Sequence, residues 1–410
     1  MTASLAGRAA DMTAAADRLS EKLSVPPPAG TGVVAWQHQS LSRGAAGIAV
    51  LHGLRARAGH GSLDRVHAWL GLAVRAGVSA APGSGLWFGA PAVAFAIGAS
   101  APGQYPAAAK ALHAAVTEMT RARLEAAYER IAAGARPPLS EFDLVRGLAG
   151  LGGYLLHREP DPRLLQEVLR YLVRLTEPVR ARDAAGPHAP GWWSGENPNV
   201  RTRAEGGHAN LGMAHGIAGP LSLLALAMRR EITVTGQAEA IDRICTWLDA
   251  WRQQGDAGPW WPTWVTLSDL REERTSQHAP VRPSWCYGTP GLARSQQLAA
   301  IALGNRSRQA DAENALVRCI SDPAQTTQLS ESGLCHGWAG TAATTWCASL
   351  DSAGSQLNTA LGMLAGPLAE SARGDQPNGL MNGIAGAALT LHAILADQEP
   401  GTWPRCLLLA

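Results

Sequence analysis

This sequence has almost no imbalance of charge. Its 410 residues carry 35 Lys and Arg against 33 Asp and Glu, a net charge of +2. That leaves no basic field to draw in nucleic acid. Long hydrophobic runs are also missing. None approaches the roughly 18 apolar residues of a membrane span, so no integral membrane segment is expected. Residues 1–23 have no basic region ahead of an apolar core, so they do not read as a secretory signal, and a cytoplasmic protein is expected. Cysteine is scarce. Six in so long a chain make no disulfide framework, and no C-x-x-C pair occurs. Cys406 is followed by four residues, one too many for a prenylation signal. Strand signals are confined to 232–235 and 264–267. Apolar residues, in contrast, make up 46% and charged residues 17%, which excludes disorder and allows a large core.

What the chain does have is a repeating phrase. A Gly-x-x-Gly turn opening an apolar helix occurs at Gly44/Gly47, Gly147/Gly150, Gly216/Gly219, Gly288/Gly291, Gly337/Gly340 and Gly383/Gly386. A degenerate copy at Gly89 has Ala92 in the second place, giving seven units. The first glycines stand about 45 to about 72 residues apart, within or above the period of helical repeats. Apolar helices, for example 217–228 and 380–396, follow the turns and suit an inner layer. Amphipathic helices with one charged face are expected at 106–133, 162–182, 237–252 and 308–320, and suit an outer one. Seven such pairs sharing a core predict an all-α fold, an α/α toroid of seven inner and seven outer helices. Residues 1–35 are expected to be an N-terminal helix and linker, and 36–410 the seven repeats of a single domain. Small residues at the start of the inner helices are expected to let those helices crowd together. The loops at 183–210 and 253–284 are long enough to be lids or binding surfaces. Their tryptophans read first as packing anchors.

Residues at equal phase in such an array lie on one rim. The two positions before the first glycine are ordinary in most repeats. In three consecutive repeats they hold His215, then Cys286 with Tyr287, then Cys335 with His336. Two thiolates and an imidazole suit Zn²⁺, and three protein ligands leave one position open, as a catalytic zinc requires. Two buried core cysteines and a capping histidine are the structural alternative. His215 can be a further ligand, an acid/base or a helix cap. Asp143 and Arg282, each four residues before a turn landmark, can be plain solvated charges. His208 reads as structural or lid-forming. The phase positions supply no paired carboxylates, which removes a glycosidase.

Taken together, Asp143-Leu144-Val145-Arg146-Gly147, Ala214-His215-Gly216, Trp285-Cys286-Tyr287-Gly288, Cys335-His336-Gly337 and Asn382-Gly383-Ile384-Ala385-Gly386 resemble the lanthionine synthetase C-like family. The resemblance implies the α/α toroid, with Zn²⁺ held by Cys286, Cys335 and His336. It implies His215 and Asp143 as an acid/base pair, with Arg282 and Tyr287 in the same pocket. It implies a lanthipeptide cyclase, which adds cysteine thiolates of a dehydrated precursor peptide to dehydroalanine or dehydrobutyrine. Its partners would be that peptide and a separate dehydratase, with the chain itself expected to be a monomer. Glutathione addition to dehydroamino acids, and a zinc-bearing scaffold without turnover, are the rival readings. The β-rich lobe carried by some members is expected to be reduced or missing here, since the segment between Gly89 and Gly147 reads as helical.

Overall fold

The computed structural model describes residues 8–28, 34–158, 162–179, 189–198, 202–396 and 401–410. Five of the seven first glycines, Gly44, Gly147, Gly288, Gly337 and Gly383, end a turn in extended conformation and are N-caps that offer no side chain. Gly89 has a positive φ of 78°, and the N-cap after Gly216 is Ile217. The helices that the five start are Ala45–Arg57, Leu148–Leu156, Thr289–Ala302, Trp338–Leu350 and Ile384–Leu395, joined by Ala90–Ser100 after Gly89 and Ala218–Met228 after Gly216. These seven are buried along almost their whole length. Thr289–Ala302 departs from the apolar expectation, since Arg294, Ser295, Gln296 and Gln297 are buried within it. Their polarity is answered locally: Arg294 donates to Gln297 Oε1 at 2.5 Å, and Gln297 donates to Glu313 at 2.8 Å.

The amphipathic helices alternate with these. They are Leu63–Val74, Pro106–Ala132, Arg163–Leu175, Gln237–Ala250, Arg306–Ser321 and Gln356–Ser371. Arg163–Leu175 stops well short of 182 because Pro178 follows, and the residue before a proline is driven out of helical conformation. The remainder of that expected helix, 180–182, lies outside the described residues.

By internal packing the chain divides into two compact units. One comprises Met1–Thr117, Pro283–Trp285 and Ile320–Ala410, the other Glu118–Arg282 and Cys286–Cys319. In the first, Ala45–Arg57 packs on Leu63–Val74 and Ala90–Ser100, and Trp338–Leu350 on Gln356–Ser371. Ile384–Leu395 packs on Trp338–Leu350, Ala45–Arg57 and the N-terminal helix Ala9–Lys22. That last helix buries Met12, Ala15, Ala16 and Leu19. At about 1.5–3 kcal/mol for a fully buried large apolar side chain, Met12 and Leu19 alone tie it firmly to the unit. In the second unit, Ala218–Met228 packs on Leu148–Leu156 and Thr289–Ala302, with Arg163–Leu175 and Gln237–Ala250 outside.

The strands are short. His208–Asn210 pairs antiparallel with Trp264–Thr266, and Gln253–Gly255 with Gly258–Trp260. Residues 232–235 form no strand; the Val234 N–H is taken instead by the Gln237 side chain at 2.9 Å, which begins the next helix. Between Gly89 and Gly147 the chain is helical, without a strand, so the extra lobe is absent from that segment. The loop tryptophans are anchors. Trp192, Trp193, Trp260 and Trp261 are buried, and Trp261 donates to the Leu248 carbonyl at 2.9 Å. Of the 183–210 loop, residues 183–188 and 199–201 lie outside the described residues.

Candidate metal centre

The turns carry the site, and backbone hydrogen bonds align them. In the first unit Leu41 N–H bonds the Trp87 carbonyl at 3.2 Å, Met381 N–H the Ser42 carbonyl at 3.0 Å, and Cys335 N–H the Met381 carbonyl at 2.8 Å. In the second, Leu144 N–H bonds the Ala214 carbonyl at 3.2 Å and Met213 N–H the Cys286 carbonyl at 2.8 Å. Each accepting carbonyl belongs to the residue two before a first glycine. Equal phase in sequence is therefore equal position in space within each unit.

This ladder sets His215 beside Cys286 and Tyr287. Gly212 lies under the Tyr287 ring, where a Cβ would fall 2.5 Å from ring carbon Cδ1. The imidazole of His215 and the ring of Tyr287 are 6.4 Å apart, tilted by 33°. Behind His215 stands Asp143, fully buried. Its Oδ2 lies 2.7 Å from His215 Nδ1. Its Oδ1 accepts the N–H groups of Arg146 at 2.6 Å and Gly147 at 2.8 Å, bracing the turn that leads into the next helix. A carboxylate so engaged accepts only, so Nδ1 carries the hydrogen and Nε2 is left to exchange a proton.

The second half of the site is built on Trp338–Leu350. The chain just ahead of Cys286 is tied down firmly. The Thr341 hydroxyl donates to the Pro283 carbonyl at 3.3 Å, and the Trp285 indole donates to the Leu407 carbonyl at 3.0 Å. Cys286 is the next residue. Its sulfur, that of Cys335 and one ring nitrogen of His336 all lie within 4.8 Å of one another. Cys286 is buried, Cys335 and His336 are half-buried, and none of the six cysteines is in a disulfide. Two soft sulfurs and an imidazole converging in this way form a donor set that could hold a metal, and its chemistry suits zinc. The other cysteines are elsewhere: Cys245, Cys319, Cys347 and Cys406 are buried helical residues, and burial pushes the Cys245 thiol up to about 12.

Arg282 is half-buried, six residues before Gly288. The residues six before the neighbouring first glycines are Asn210 and Glu331, and sequence reasoning passed over both. Asn210 donates to the Tyr287 hydroxyl at 3.4 Å, and Glu331 Oε2 lies 2.9 Å from His336 Nε2. Applying the phase rule at this position as well would have found them. His208 reads from the sequence as structural or lid-forming, and its surroundings suit a structural place. It is fully buried, its Nδ1 faces the Glu196 carbonyl at 2.9 Å, and burial lowers its pKa to about 4.

Among the described residues no helix is long and apolar enough to cross a membrane. A solved structure of nisin cyclase superposes with a TM-score of 0.75, at 18% identity, covering 97% of this chain and 96% of that one. The fold is accordingly the α/α toroid. Nisin biosynthesis protein NisC of Lactococcus lactis subsp. lactis is 24% identical over 212 residues, which are 50% of this chain. The match spans about half of that relative, 48% of its length. The model of the family "Lanthionine synthetase C-like protein" matches residues 35–408, nearly the whole array of turns, and the chain belongs to that family.

Proposed function

We propose that this chain is a zinc-dependent lanthipeptide cyclase, closing thioether rings in a dehydrated precursor peptide supplied by a separate dehydratase. The observation that carries the reading is the convergence of Cys286, Cys335 and His336 on one point, beside a turn whose histidine is braced by a buried carboxylate. Kinship with a protein named nisin cyclase supports it.

Ring closure joins a cysteine sulfur to the β-carbon of a dehydroamino acid. The thiol gives up its proton, the C–S bond forms, the alkene electron pair moves toward the adjacent carbonyl, and the α-carbon takes up a proton. When bound, Zn²⁺ supplies the Lewis acidity that makes the substrate thiol a thiolate near neutral pH. Cys286, Cys335 and His336 would hold it. His215 Nε2 is the proton carrier, and Asp143 keeps the ring in the tautomer that exposes this nitrogen. The guanidinium of Arg282 and the hydroxyl of Tyr287, itself held by Asn210, offset negative charge as it develops on the enolate oxygen. Because the reaction is intramolecular, holding the peptide with sulfur and alkene in register supplies much of the acceleration.

The test is incubation of the zinc-loaded full chain with a dehydrated, cysteine-containing peptide. Loss of free thiol at unchanged peptide mass is the expected result. A thiol that persists overturns the reading, and so does a product formed only when glutathione is added and heavier by its mass.

A further inference from the structure

We propose that Glu331 is a positioning residue for the metal centre, orienting His336 so that Nδ1 is its ligand nitrogen. The inference rests on the zinc reading above and extends it to a residue outside the ligand set.

The geometry is local and specific. Glu331 Oε2 and His336 Nε2 are 2.9 Å apart. An ionised carboxylate can only accept, so Nε2 carries the hydrogen, and the lone pair a metal needs lies on Nδ1. The carboxylate is not itself a ligand, because it does not belong to the group of donor atoms that converge within 4.8 Å. Its placement follows from the turn. Trp338 N–H bonds the Glu331 carbonyl at 2.9 Å, Ala339 N–H bonds that of Ser332 at 3.1 Å, and Gly337 packs directly over the Glu331 carbonyl. The same bond recurs at the matching place in two other turns, from Ile217 to Asn210 and from Ile384 to Pro377, each at 2.9 Å. Glu331 therefore leaves a fixed point on the backbone, not a freely moving loop. The side chain is 39% exposed, so a bare ion pair would contribute little. Its effect comes through the ring, by fixing tautomer and rotation and by raising the basicity of the ligating nitrogen.

The experiment titrates metal-free full-length protein with Zn²⁺ against a chromophoric chelator. Wild type, Glu331→Ala and Glu331→Gln are compared, and far-UV circular dichroism melts without metal check folding. Affinity should fall by about 10–100-fold in Glu331→Ala. It should fall less in Glu331→Gln, which keeps an acceptor for Nε2–H. Co²⁺-loaded Glu331→Ala should show shifted visible bands, while Glu331→Gln stays close to wild type. Affinities within threefold of wild type with unchanged Co²⁺ spectra overturn the proposal and leave the zinc reading standing. Wild type that takes up no Zn²⁺ overturns both. If Glu331→Ala does not fold, the Glu331→Gln affinity and Co²⁺ spectrum decide: unchanged on both counts, they count against the proposal.

Discussion

At the scale of single residues, the site divides by what each side chain touches. His215 is braced by Asp143 and stands outside the converging donor set, so His215→Ala should keep its metal and lose turnover by about 10²–10⁴-fold. Zinc content by elemental analysis, beside the peptide assay, separates these outcomes; loss of the metal would make His215 a ligand. Asp143 has a second duty, since Oδ1 accepts two backbone N–H groups of the turn leading into the helix Leu148–Leu156. Asp143→Ala should therefore also destabilise the protein, by about 1–3 kcal/mol in a denaturant melt, because it leaves those donors unpaired, where His215→Ala should not. Two other histidines, His208 and His392, are held neutral by burial and make stability fall in acid. His392 is buried with Ser20 Oγ at 3.1 Å and Arg55 Nη1 at 2.5 Å from its Nε2. Burial first, and then the Arg55 charge, hold its pKa down from 6.5 to about 4, against smaller opposing help from Asp17. The unfolded chain takes up this proton near pH 6.5 and the folded chain does not. Stability from the neutral ring is thus complete above pH 6.5 and declines as the pH falls toward 4, by on the order of 3 kcal/mol. His392→Gln should flatten that decline, read as the difference between the two proteins' melting temperatures at pH 7 and pH 4.5.

At the scale of the element, the glycines of the turn serve a purpose other than the expected one. A Cβ on Gly340 would overlap the Leu334 carbonyl oxygen, and one on Gly47 that of Leu41. Both clashes are with the glycine's own turn, not with a neighbouring helix. The second glycine lets the helix start fold back against the segment that feeds it, and the backbone cannot yield as a flexible side chain would. Gly340→Ala should cost about 3 kcal/mol or more, while Gly71→Ala, in the exposed middle of Leu63–Val74 with nothing within 4 Å, should stabilise by about 0.5–1 kcal/mol. Paired denaturant melts check both signs. This tight turn is also why so much was legible. A pattern that must close on its own backbone keeps a fixed spacing, so the inner helices, the cysteines and His215 could be read from phase. The register of His208–Asn210 with Trp264–Thr266 could not, since it depends on loops with no spacing of their own. Nor could the seat of Ala9–Lys22 against Ile384–Leu395, a contact between chain ends that shares no motif. Spacing alone leaves Asp143 open to being an ordinary charge, and only the resemblance pairs it with His215, because only the folded turn shows both its oxygens engaged.

At the scale of the whole molecule, the ligand set has a thermodynamic consequence. Cys286 and Cys335 belong to different repeats, and the donor atoms that meet within 4.8 Å in the folded chain have no reason to meet in the unfolded one. An ion that bridges them binds the native state and only weakly the unfolded chain, so its binding energy is added to stability. At a free Zn²⁺ concentration 100 times the dissociation constant that is about 2.7 kcal/mol. Spread over the unfolding entropy of a chain this long, it should raise the melting temperature by about 3 °C. Removing the ion with a chelator should reverse the shift, and restoring Zn²⁺ should recover it. Cys335→Ala, with one thiolate missing, should melt at one temperature whether Zn²⁺ is present or not. His215→Ala, with the ligand set intact, should show the full rise. If Cys335→Ala responds to Zn²⁺ as wild type does, the ion binds somewhere other than among Cys286, Cys335 and His336, and the proton chemistry assigned to His215 loses its reaction centre.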